Sequence, residues 1–101
     1  MTSRVTYTGN LRTLSVHQQS GVEFITDAPL DNHGLGQAFS PTDTVANAVA
    51  TCMLTIMGIK ARGLGEDITG ATADVTKTMA PDPRRISRVG PCDVGWKLVT
   101  R

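Results

Sequence analysis

Aromatic residues are scarce in this chain: one Trp, one Tyr and two Phe make up 4 % of its 101 residues. That excludes an aromatic-rich core and the stacking platforms of single-strand binders, so apolar packing has to come from Ala, Val, Ile, Leu and Met. Charge of one sign is also missing. Ten Lys plus Arg face nine Asp plus Glu, a formal net charge of +1, and no global field selects nucleic acid or an anionic membrane. Only two cysteines are present, Cys52 and Cys92. With no CxxC and no neighbouring His they fit neither a disulfide scaffold nor a zinc site, and the expectation is free thiols in a reducing compartment. Long hydrophobic runs are lacking too. The best, Val45 to Ile59, is interrupted by Asn47 and Thr51 and falls short of the ~18 residues a membrane span needs. The start, Met1-Thr2-Ser3-Arg4, leads into polar alternation rather than an apolar run of ~7 to 15 residues. A cytoplasmic protein with no membrane partner is expected. A composition 40 % hydrophobic and 19 % charged is too apolar for a disordered chain, and the length leaves room for one domain over residues 1–101.

What is present begins with alternation. Val5 and Tyr7, then Leu11, Thr13, Ser15 and His17, then Val22, Phe24 and Thr26 form β-branched runs separated by Gly9-Asn10 and Ser20-Gly21, which predicts an antiparallel meander of two or three strands. Asp27 to Phe39 is rich in Asp, Asn, Pro and Gly and has no period, so it reads as a long loop of the kind that binds or moves. Ser40-Pro41-Thr42-Asp43 then supplies a hydroxyl N-cap, a proline at the first helical position and an acid three residues after the cap. The spacing of Val45, Val49, Cys52, Ile56 and Ile59 carries a helix on to Lys60-Ala61-Arg62-Gly63, where Gly63 is the expected C-cap. About 22 residues at ~1.5 Å each give a rod of ~33 Å. Met53, Leu54 and Met57 make its second face apolar as well. Covering such a helix all round takes more than the meander, which points to a further element or a second subunit. Ile68 to Met79 alternates as one more strand, 80–85 reads as a turn, and Ile86 to Val89 as the returning strand. Residues 90–101 form an atypical tail, frayed or added at a sheet edge. The fold class is α+β.

Among side chains able to do chemistry, Cys52 has the best defined setting. Two readings stand beside each other: a small hydrophobe packed in a core, and a nucleophile. The second needs a cation brought from elsewhere, since a residue this far along a helix gains little from its dipole. Arg12 and Arg4 are the candidates. Asp43 and Cys52 are about 900° apart around the helix, on opposite sides, whereas Thr42 shares the face of Cys52. Asp43 therefore reads first as a cap and second as an acid that orients an arginine. His17 and His33 have no ligand partners, so no metal site is predicted, and Gly34 and Gly36 lack the frame of a phosphate cradle. Arg84, Arg85 and Arg88 read as a solvated turn rather than a nucleic-acid site. No cofactor is expected.

The segment Ala38-Phe39-Ser40-Pro41-Thr42-Asp43, followed by VANAVATCMLTIMGIKA with Cys52 in mid-helix, resembles the OsmC/Ohr family of thiol-dependent hydroperoxide reductases. Through TGNLRT, ITDAPLDN and DPRRIS it is similar to the OsmC-like redox branch, over roughly residues 4 to 89. The resemblance implies an intertwined homodimer with sites at the subunit interface and a stress-response, antioxidant role. It implies that Cys52 is the peroxidatic thiol, with Arg12 at the family's activating arginine. Organic-hydroperoxide members carry Glu ten residues before the Cys, where this chain has Thr42 with Asp43 beside it. The family continues through more sheet and a helix bearing a resolving Cys, so the chain reads as C-terminally truncated, and Cys92 stands at no matching position.

The reaction expected on this reading is reduction of organic hydroperoxides at Cys52, followed by regeneration by an external thiol or dithiol. Phe39 and Met53 would line an apolar pocket that favours organic peroxides. Two other functions remain open at this point. One is a non-catalytic dimeric remnant with Cys52 in its core; the other is binding of a small apolar ligand at the dimer interface.

Overall fold

The structure, a computed structural model, describes residues 1–81, 84–89 and 93–95, the last three through their backbone alone. It is α+β, in two compact units divided after Thr44.

The first unit holds the predicted meander. Strands β1 (Ser3–Gly9), β2 (Arg12–His17) and β3 (Glu23–Asp27) pair antiparallel in the order β1-β2-β3. Gly9, Asn10 and Leu11 all have positive φ, 90°, 55° and 62°, and the β1–β2 register shifts between Tyr7 and Gly9. A bulge therefore sits immediately before Arg12. Left-handed backbone is ordinary for Gly and tolerable for Asn, but for Leu11 it is a strained conformation next to a candidate site residue. The β2–β3 turn is closed by His17, whose Nδ1 lies 2.6 Å from the Ser20 hydroxyl and accepts from the Ser20 amide at 3.3 Å. The periodless loop that follows contains one 3-10 turn, Leu30–Asn32, ended by His33 in the left-handed region.

Helix α1 (Pro41–Gly63) follows. Its start is as expected: the Asp43 amide donates to Ser40 Oγ at 3.1 Å, and the Ser40 amide donates to Asp43 Oδ2 at 3.0 Å. This is a reciprocal capping box on a serine that is 1 % exposed. The other end differs from expectation. Gly65, not Gly63, takes the left-handed turn (φ +73°). The Glu66 amide reaches Ala61 O at 2.8 Å and the Gly65 amide reaches Arg62 O at 3.1 Å. That pair of bonds is a Schellman motif, which needs its glycine one residue past the cap, so Leu64 is the cap residue.

The buried side of α1 also differs. Within one chain Ala46, Ala50 and Ala61 are the buried apolar residues of the helix, whereas Val45, Val49, Met53, Ile56 and Ile59 are exposed. Ala50 is two residues from Cys52, Ala46 six and Ala61 nine, so the buried positions lie about 120° to 180° around the axis from the thiol. Among the described residues this stripe stays exposed, in keeping with a helix whose cover takes more than the meander. By length and composition α1 does reach what a membrane span requires, with 11 % of its apolar window buried. Asn47 and Thr51 do not break the apolar window as expected, because Met, Ala, Ile and Val around them keep the average hydropathy high.

In the second unit the single strand expected over Ile68 to Met79 is two. Asp67 Oδ1 accepts from the Thr69 amide at 2.9 Å and from its hydroxyl at 2.6 Å. The side chain thus turns the backbone there instead of letting it extend. Strand β4 (Thr72–Asp74) pairs with β7 (Asp93–Gly95), while β5 (Lys77–Pro81) pairs with β6 (Arg84–Val89). Changing partner at Val75-Thr76 breaks the ladder that strict alternation alone would continue. The turn expected over 80–85 shrinks for the same reason, since both of its ends are in ladder positions. Its centre, residues 82 and 83, lies outside the described residues, as do Cys92 and the tail from 96 onward.

Candidate functional site

Arg12 opens β2 directly opposite Asp27, the last residue of β3. The register makes them a cross-strand pair, and close pairs of opposite charge on one sheet face attract. Arg12 Nη2 lies 3.4 Å from Asp27 Oδ2 and also donates to Gln37 Oε1. Asp27 is 1 % exposed and Arg12 33 %.

Three further bonds fix Asp27. Its Oδ2 accepts from the Gln37 amide at 3.0 Å. Its own amide donates to Phe39 O at 3.0 Å, and next to it the Ala28 amide donates to Leu11 O at 3.1 Å. The long loop therefore leaves β3 and returns to it at the same point. Its neck is tight: a Cβ at Gly34 would sit 1.7 Å from Ala28 O, so no larger residue fits there. The carboxyl of Asp27 is held below the ordinary aspartate value of 3.8. The Gln37 amide is the main cause and the Arg12 charge helps, both overcoming the burial that pushes the other way. Asp27 Oδ1 and Arg12 Nε are buried without a hydrogen-bond partner among the described residues. One guanidinium nitrogen carries the whole attachment, and the rest of the group is uncommitted.

The sequence-predicted residues fall as follows. Cys52 is a free thiol, exposed in mid-helix, so within one chain it is not a small hydrophobe packed in a core. Asp43 serves the capping box. Phe39 is exposed, with its carbonyl tied to Asp27, and Met53 is exposed on the helix. Cys52 and Met53 belong to one unit, and Arg12, Phe39 and Asp43 to the other. The second unit has an open groove of about 680 Å³ near the end of α1, lined by Leu54, Gly58, Ile59, Arg62, Glu66 and Ile68 among others, and neither Cys52 nor Met53 lines it. No group of three His, Cys, Asp or Glu able to hold a metal occurs among the described residues.

Asp27 and Gln37 were missed in the sequence. Half of the signal for Asp27 was available: it lies in the ITDAPLDN segment already singled out. The register was not, because a fold about Ser20-Gly21 would set residue 12 against 29, whereas the observed turn is centred between Gln19 and Ser20, with the His17 amide on Val22 O, and sets it against 27. Nothing local marks Gln37, which reaches Asp27 only because the loop closes on itself.

No protein-family model and no curated protein matches this chain. Among solved structures it is similar to the crystal structure of a protein from Psychrobacter arcticus 273-4 assigned as an osmotic stress induced and detoxification response protein. The two share 55 % identity and a TM-score of 0.92 over all of this chain and 73 % of that one. With identity and structural likeness of that degree along the whole chain, this protein belongs to the OsmC family.

Proposed function

We propose that the protein is a cytoplasmic stress-response enzyme that reduces organic hydroperoxides through Cys52, working as a homodimer. The observation that carries this reading is the thiol's setting. Cys52 is exposed in the centre of an exposed apolar stripe, Val45, Val49, Ile56 and Ile59, in a member of the OsmC family. The apolar side chains flanking the thiol offer contacts to an alkyl chain. The described neighbour's detoxification role supports the same chemistry. A second copy of the chain covers the stripe, which a single chain leaves to solvent.

The Cys52 thiolate attacks the outer oxygen of the hydroperoxide. An S–O bond forms, the O–O bond breaks, and the alkoxide leaves and takes a proton from solvent as the alcohol. Cys52 is left as a sulfenic acid. Two equivalents of an external thiol, or one dithiol, return it to the thiol with release of water and a disulfide. Arg12 supplies the cation that favours the thiolate and the charge developing on the leaving oxygen. Met53, exposed beside Cys52 on the helix, adds an apolar contact that favours organic over hydrogen peroxide.

The test is the second-order rate of Cys52 oxidation by tert-butyl hydroperoxide, in a Cys92→Ser background, with and without Arg12→Ala. Fast oxidation, slowed at least about a hundredfold by the substitution, supports the reading. Slow oxidation that Arg12→Ala leaves unchanged means an OsmC scaffold without peroxidase chemistry.

A further inference from the structure

We infer that Asp27, assisted by Gln37, is the residue that positions Arg12 for the reaction, in place of a carboxylate on the helix. The inference rests on the peroxidase reading above for its functional part and on the geometry of the first unit alone for its structural part. Asp43 is tied to the Ser40 amide in the cap, while the carboxylate in contact with Arg12 is the one across the β2–β3 ladder. That carboxylate is buried, and buried ions persist where they are paired and hydrogen-bonded. Asp27 has both the guanidinium and the Gln37 amide on one oxygen.

Attachment through Nη2 alone has a consequence for function. A bidentate pair would occupy the edge of the guanidinium. Here Nη2 is shared by Asp27 and Gln37 and Nε is buried, so Nη1 is the donor left for a second anion such as a thiolate or a developing alkoxide. The strained Leu11 and the bulge just before Arg12 aim the side chain from one side. The loop neck at Gly34 presents Gln37 from the other. Asp27 and Gln37 touch the arginine and not the reacting atoms, so they act as positioning residues.

Two measurements separate the clamp from the chemistry. The first is the ¹⁵N spectrum of the Arg12 guanidinium in the full protein. A clamped group gives distinct Nη signals that merge in Asp27→Asn. Merged signals in the wild type overturn the clamp whatever the activity. The second is Cys52 oxidation by tert-butyl hydroperoxide in Asp27→Asn, Gln37→Ala, Arg12→Ala and the Asp27→Asn/Arg12→Ala double variant. Asp27→Asn is expected to lose about ten- to a hundredfold in rate, and to lose nothing further once Arg12 is gone. An equal loss in the Arg12→Ala background shows that Asp27 acts through folding and overturns the positioning role, as does a wild-type rate in Asp27→Asn. Should Asp27→Asn not fold, Gln37→Ala replaces it, because it removes the side-chain contact and keeps the Gln37 amide on Asp27. An Arg12→Ala rate equal to wild type refutes the peroxidase reading instead, and the guanidinium signals still decide the clamp.

Discussion

Replacing Ile56 by Ala probes whether the bare stripe of α1 is a subunit interface. Ile56 lies on the same side of the helix as Cys52 and is 60 % exposed in the single chain. Full burial of an isoleucine side chain is worth about 1.5 to 3 kcal/mol, so covering the exposed part contributes roughly 1 to 2 kcal/mol in each copy. A two-fold dimer buries the residue twice, so truncation weakens association by about 2 to 4 kcal/mol, roughly 30- to 700-fold in Kd. Sedimentation velocity over a dilution series reads this directly, with circular dichroism at the highest concentration to check that the helix persists. A wild-type chain that stays monomeric throughout, or a Kd changed less than threefold by the substitution, refutes the claim that a second copy covers this face. In the monomeric case the apolar helix would need another partner, and partition into lipid vesicles becomes the next measurement.

Two further outcomes follow from the described contacts. Ser40→Ala removes the acceptor of the Asp43 amide and is expected to cost about 1 kcal/mol, against a few tenths for Ser40→Gly; urea unfolding at one fixed protein concentration measures both, and no loss in either variant would mean the hydroxyl contributes nothing. Asp27 has a carboxyl value lower in the folded chain than its ordinary 3.8, so its stabilisation is complete above that ordinary value and is lost as pH falls through the lower folded one. Acid unfolding followed between about pH 5 and pH 2 should therefore be flatter in Asp27→Asn than in the wild type, and identical slopes would contradict the pairing.

Much of this was legible in the residues. The Ser40 box and the meander are local devices, set by side chains within four residues of each other or by alternation, and they form where such rules put them. The left-handed glycine lies two residues later than expected because Gly63 and Gly65 both suit such a turn and only the closing bonds choose between them. One strand became two because its halves find different partners, which alternation does not encode. The need for cover beyond the meander was legible on α1, but which of its sides the chain itself buries was not. Periodicity marks an apolar stripe but does not say whether the same chain or another covers it, and here the larger residues are left bare while alanines turn inward. At the candidate site, Arg12 and Cys52 could be named from motif resemblance. Asp27 required the strand register and Gln37 the closure of a loop.

That register makes the Arg12 anchor a matter of counting. In the β2–β3 ladder Arg12 meets Asp27 and Thr13 meets Thr26, down to Val16 and Glu23. A slip of one residue would set Thr26 or Ala28 against the arginine and turn the carboxylate to the opposite face of the sheet. Changes of residue type within the turn between the strands leave the pairing intact, whereas a single insertion or deletion inside either strand disconnects it. Variation in this family member should therefore be permissive in composition and strict in length between residues 12 and 27.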